Sequence, residues 1–192
     1  MNLKHLFELQ AKLDEHIVKE KGLEGQDLLP KKILALQVEL GELCQEWRGF
    51  KFWSEDQEPR TVESIPTDWD DDGTPTEWNV NPHKNPLLEE YVDVVHFTLS
   101  VGLEIEIKHE IFPEPINYGD VVIQFNELFG QISYFASVLN RENDWEEVES
   151  EYERIWSLLF GLAGLLGFTW EQIEQSYLQK NRINHERQNN GY

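Results

Sequence analysis

Two short stretches carry acidic residues at spacings suited to holding a cation. In "VELGELCQEW", Glu39, Glu42 and Glu46 fall at i, i+3 and i+7, so a helix presents them as one stripe. In "LLEEYVDVVHF", Glu90 and Asp93 fall at i and i+3. Apolar residues flank both sets. On the first stretch, Ile33, Leu36, Leu40, Leu43, Cys44 and Trp47 share one face, with Leu34 and Val38 across from it; on the second, Leu87, Leu88, Tyr91, Val92, Val94, Val95 and Phe97 leave almost no polar side. A solvated acidic face would not be bordered this way. Buried carboxylates are costly unless paired, and no lysine or arginine in either helix is placed to neutralise so many. One or two divalent cations between facing helices would turn that repulsion into binding.

Oxygen-only ligands favour a hard ion, Mg²⁺ first and Mn²⁺ second, sharing its shell with water and substrate phosphates. A ferritin-like di-iron centre needs an acidic-x-x-His pair on each of two helices; Asp93 and His96 give one loose match, and no second pair of that kind appears in the other helices. Asp68 to Asp72 with Gly73 lacks the spacing and the closing Glu of an EF-hand loop.

A substrate carrying phosphates would also need cations, and residues 177–192 hold Lys180, Arg182 and Arg187 against Glu186 alone in an otherwise acidic chain. Lys180, Asn184 and Arg187 follow at i, i+4 and i+7, with Tyr177 one turn earlier. This is a phosphate-binding and amide-bonding face, or else a basic helix end complementing its own dipole. In "RGFKFWS", Arg48 and Lys51 alternate with Phe50, Phe52 and Trp53 just beyond the first acidic helix. Stacking of a planar base on Trp53 and plain core packing are both open on spacing alone.

The elements that position these groups read as helices. Leu3, Leu6, Phe7, Leu13 and Ile17 recur at helical spacing over 2–20, with Gln10 and Asp14 interrupting the edge. A second helix is expected from Lys31 to Trp47 behind Pro30, and a third from Leu87 through "EIEIKHE" to about residue 110. Two more span about 117–140 and 145–166, and a last one follows the cap signal at Thr169. No sustained two-residue alternation with hairpin turns is evident. The expected class is therefore all-α, one domain over 1–192 with about six helices. Residues 54–86 hold nine acids, two bases and five prolines, and read as a long acidic loop inserted into the bundle.

The whole chain has 192 residues and a formal charge of −21. That excess repels nucleic-acid phosphates and anionic membranes, so neither is expected as a partner. Cys44 is the sole cysteine, cannot form an internal disulfide, and reads as a packed thiol in a reducing compartment. No run approaches the roughly 18 apolar residues of a membrane span. A cytoplasmic protein is expected.

Three blocks in order, "VELGELCQEWRGFKFWS", "LLEEYVDVVHFTLS" and "SYLQKNRINHERQNNGY", resemble the dimeric all-α dUTPases within the MazG-like NTP pyrophosphatase superfamily. The resemblance implies Mg²⁺-assisted hydrolysis of dUTP to dUMP and pyrophosphate, with dUDP a second candidate substrate, in a homodimer. It implies that Glu39, Glu42, Glu90 and Asp93 hold the metal and that Glu39 or Glu42 is the base. Gln10 and Asp14 match nucleotide-contacting positions of the first helix, and Trp53, His96 and Phe97 match the uracil and deoxyribose pocket. Lys51, Lys180, Asn184, Arg187 and Tyr192 match groups that close on phosphates and base. Val38 stands where relatives often carry a further acid, so only a two-acid version of the first motif is present. A MazG-like pyrophosphatase of broader base choice is the alternative.

Overall fold

A computed structural model describes residues 3–107, 111, 113–141 and 145–191. Among the described residues six helices form the bundle: α1 (Leu3–Lys21), α2 (Leu29–Trp47), α3 (Pro86–Glu104), α4 (Val121–Leu139), α5 (Trp145–Leu166) and α6 (Trp170–Asn189). The all-α class is as the sequence suggests. α3 runs through the middle, against α1, α2 and α6, while α4 packs on α5 and α2.

The core explains this order. Eleven residues of α3 are buried, so it needs neighbours on most sides. Phe7 from α1, Leu36, Leu40 and Leu43 from α2, Tyr152 and Trp156 from α5, and Tyr177 from α6 are all fully buried. Each such side chain contributes about 2 kcal/mol relative to exposure. The buried hydroxyls are satisfied: Tyr91 donates to the Leu159 carbonyl and Tyr152 to the Thr98 carbonyl, each at 2.8 Å.

Local signals set the helix ends. Asn85 accepts from Leu88 N ahead of α3, Asp120 from Ile123 N ahead of α4, and Thr169 with Gln172 forms a capping box on α6. Two boundaries differ from expectation. α4 starts at Val121 because Asp120 caps it, not near residue 117. α3 stops at Glu104, not near 110: Glu106 turns into the left-handed region at φ 52°, and Ile107 N donates back to the Gly102 carbonyl at 3.0 Å. That turn buries both Ile105 and Ile107, which lie 200° apart on a helix and so could not share one face.

The insertion is also more ordered than a loop. β1 (Glu63–Trp69) and β2 (Pro75–Asn81) pair antiparallel, with Ser64 opposite Val80 and Pro66 opposite Trp78. Asp70 shapes the turn by accepting from Asp72 N and Thr74 N, and Gly73 takes φ 79°. Two register shifts between Pro66 and Trp69 break the alternation, which is why the pattern escapes a two-residue reading. The base of the insertion is stapled to both acidic helices. Arg60 N donates to the Glu46 carbonyl at the end of α2, and Leu87 N donates to the Arg60 carbonyl at the start of α3.

Candidate active site

The α2–α3 pairing brings Glu39, Glu42 and Glu90 together, with one carboxylate oxygen from each lying within 4.8 Å of the others. Glu39 and Glu90 are half-buried and Glu42 is exposed. Burial, then Asp93 and the other carboxylates, pushes Glu39 and Glu90 each up to about 7. Such crowding is unfavourable as it stands, and three converging oxygen donors are the set a hard divalent cation takes. These residues therefore fit a Mg²⁺-class ion. Glu46 is outside this group, one turn on and near Arg60.

Asp93 sits beside the cluster with a different partner. Its Oδ2 accepts from Lys180 Nζ of α6 at 2.5 Å, and both side chains are largely shielded. Burial still holds the Asp93 carboxyl above its usual range, against the pull of Lys180. A single acidic pair on α3 is thus split, Glu90 toward α2 and Asp93 toward α6.

A cavity of about 250 Å³ opens between α1, α3 and α6, and Gln10, Asp14, Asp93, His96, Phe97 and Asn184 line it. Its polar wall is continuous. Asp14 Oδ1 accepts from Gln10 Nε2 at 2.7 Å, while its Oδ2 accepts from Lys32 Nζ at 2.9 Å and from Ser100 Oγ at 2.5 Å. Gln10 Oε1 in turn meets Tyr177 OH at 2.9 Å and His96 Nδ1 at 2.7 Å. His96 stacks on Tyr177, with ring centroids 4.2 Å apart, and burial lowers its pKa to about 3, so the ring is neutral. A wider groove of about 620 Å³ adjoins along α6, where Lys84, Lys180 and Arg187 supply cations and Glu89 an acid.

The sequence-expected residues divide accordingly. Gln10, Asp14, His96, Phe97 and Asn184 meet at the cavity, Lys180 joins it to the acidic cluster, and Arg187 lines the groove. Lys51 and Trp53 are not among the lining residues. Trp53 is 66 % exposed and packs edge-on against Phe50 and Phe52, and Lys51 lies 5.7 Å over the Phe50 ring. Tyr192 lies outside the described residues. Lys32 and Ser100 are participants that motif reading passed over. Ser100 had a signal: Asp93, His96, Ser100 and Glu104 make a polar stripe at i, i+3, i+7 and i+11 of an apolar helix.

A family model described as dUTPase matches residues 2–71 and 77–192. No curated protein matches the chain.

Proposed function

We propose how this chain works from the premise that it belongs to the dUTPase family and is a dUTP diphosphatase, hydrolysing dUTP to dUMP and pyrophosphate. The observation that carries the proposal is the convergence of Glu39, Glu42 and Glu90 beside a cavity lined by amide, imidazole and aromatic groups. Glu39, Glu42 and Glu90, with Asp93 adjacent, would hold Mg²⁺, two ions or more being our reading and Mn²⁺ the second choice. A cation held there would supply neutralisation of phosphate oxygens and a lowered pKa of water.

The chain's own residues account for the rest. Gln10, Asn184, His96 and Phe97 bind the nucleoside in the cavity, which directs the phosphate chain past Asp93 toward the cluster. Lys180 exchanges its Asp93 contact for a phosphate oxygen and, with Arg187 in the adjoining groove, stabilises charge developing on the leaving pyrophosphate. Glu39 or Glu42 orients the attacking water and takes its proton. The acceptor-rich cavity wall selects the base edge.

A homodimer fits the exposed Phe52 and Trp53, at 85 % and 66 %, which a second copy would cover while bringing Lys51 and Trp53 to a site. No helix among the described residues is long and apolar enough to cross a membrane, and a free Cys44 accords with a cytoplasmic setting. The test is a panel of dUTP, dTTP, dCTP, dATP and dUDP, with Mg²⁺ and with chelator. Preference for dUTP supports the account; equal rates would move the chain to the broader pyrophosphatase class.

A further inference from the structure

Along the cavity wall the hydrogen atoms can be placed by elimination. Lys32 Nζ can only donate, and it donates to Asp14 Oδ2. The Asp14 carboxylate, held against that cation, only accepts, so the Gln10 atom 2.7 Å from its Oδ1 is the amide nitrogen. The Gln10 oxygen therefore faces Tyr177 OH and His96 Nδ1. An amide oxygen has no proton to give, so His96 Nδ1 carries the hydrogen. The neutral ring then bears a lone pair at Nε2, an atom that is buried and has no hydrogen-bond partner among the described residues. His96 as a whole is only 5 % exposed and lines the cavity.

We infer that Lys32 and Ser100, acting through Asp14 and Gln10, are positioning residues that hold His96 as its Nδ1–H tautomer, leaving Nε2 to accept a hydrogen bond from the bound nucleoside. The inference rests on the reading that this cavity takes the nucleoside of dUTP. Two donors there have the right chemistry, the imide N3–H of uracil and the sugar 3′-hydroxyl. An unpaired buried acceptor weakens the empty state, and a donor on the substrate relieves it, which gives selectivity for ligands that carry one. Lys32 decides the polarity of the relay. A serine hydroxyl can reverse its bond, whereas an ammonium cannot.

The test reads the tautomer directly. In the full-length protein with ¹⁵N-labelled histidine and no nucleotide, long-range ¹H–¹⁵N correlation should report His96 protonated at Nδ1. In Asp14→Asn, Lys32 keeps the new amide's oxygen, its nitrogen turns to Gln10, and Gln10 flips; the His96 proton should move to Nε2. The double variant Asp14→Asn/Lys32→Met should recover Nδ1–H signal, because the amide is then released to turn back. Asp14→Asn should also lower kcat/KM for dUTP by about tenfold or more, the loss of one well-formed hydrogen bond. Wild-type His96 protonated at Nε2, or an unchanged tautomer in Asp14→Asn, would overturn the relay even if dUTP turnover is robust. Two analogues locate the donor. A penalty on 3-methyl-dUTP that shrinks in Asp14→Asn places Nε2 on the base, and the same pattern with 2′,3′-dideoxyuridine triphosphate places it on the sugar. If neither shows it, the acceptor role is wrong. Failure of dUTP to turn over at all would count against the cavity reading and leave the tautomer result standing.

Discussion

Lys180 Nζ of α6 lies 2.5 Å from Asp93 Oδ2 of α3, and this contact joins the cavity between α1, α3 and α6 to the acidic cluster. Replacing Lys180 with methionine removes the cation and leaves a shielded carboxyl that burial already holds above its usual range. Asp93 can then take up a proton, so the cost to folding stays modest. The cost to turnover is larger. We expect kcat/KM for dUTP to fall by about 10² to 10³, as when one preorganised group facing developing charge is lost. Steady-state kinetics with parallel thermal melts checks this; a loss of melting temperature without a loss of turnover would contradict it.

Metal removal should show itself in the pH dependence of stability. Glu39 and Glu90 rise from an ordinary 4.5 to about 7 in the folded, metal-free chain. The folded state then binds more protons than the unfolded state between those values, so stability falls as pH rises from about 4.5 through 7. A cation relieves the repulsion. Added Mg²⁺ should raise the melting temperature more at pH 8 than at pH 5, measured by calorimetry with and without chelator.

His16 of α1 and His185 of α6 stack with their Nδ1 atoms 2.9 Å apart, which requires one nitrogen to donate and the other to accept. Burial, then the neighbouring His16, lowers the His185 pKa below its ordinary 6.5. The unfolded chain therefore gains more protons on acidification, and this contact loses its contribution as pH falls below 6.5 toward the lowered folded value. Because α6 carries Lys180 and Asn184, KM for dUTP should rise over the same window. In His185→Gln, a side chain that does not titrate, that rise should flatten.

A stability test isolates packing from chemistry. A Cβ on Gly161 of α5 would stand 1.8 Å from the Ile116 carbonyl oxygen, which also accepts from Gln124 Nε2 at 2.8 Å. Backbone cannot yield cheaply there. Gly161→Ala should destabilise by about 2 to 3 kcal/mol in urea unfolding and leave kcat/KM unchanged where the chain is folded.

The helical frame was legible because its signals are local: apolar periodicity, Pro30 and Pro86 at helix starts, and Thr169 with Gln172. The carboxylates were legible for a related reason, since acids flanked by apolar residues conflict with burial. What escaped depends on contacts between distant segments. The turn at Glu106 is selected by burial of Ile105 and Ile107; the alternation of "EIEI" hints at a break, but one repeat is too short to end a helix on its own. In the insertion, Ile65, Trp69, Trp78 and Val80 are all about half exposed, and the register shifts hide what alternation they have. Lys32 lies beside Pro30 at the head of α2, and only the tertiary fold carries it to Asp14, 18 residues earlier. Trp53 shows the converse, a resemblance that assigns a pocket role to a side chain this single chain leaves on its surface.

Glu39, Glu42 and Glu90 are proposed to act as one cation-holding unit for dUTP hydrolysis. The direct measurement is pyrophosphate release from dUTP by the wild-type chain and by Glu39→Gln, each with saturating Mg²⁺ and with chelator. Chelator should abolish wild-type turnover and Mg²⁺ restore it, and Glu39→Gln should lose at least about 10³ in turnover that added Mg²⁺ does not rescue. Unchanged turnover in Glu39→Gln, or wild-type hydrolysis indifferent to chelator, would contradict the proposal.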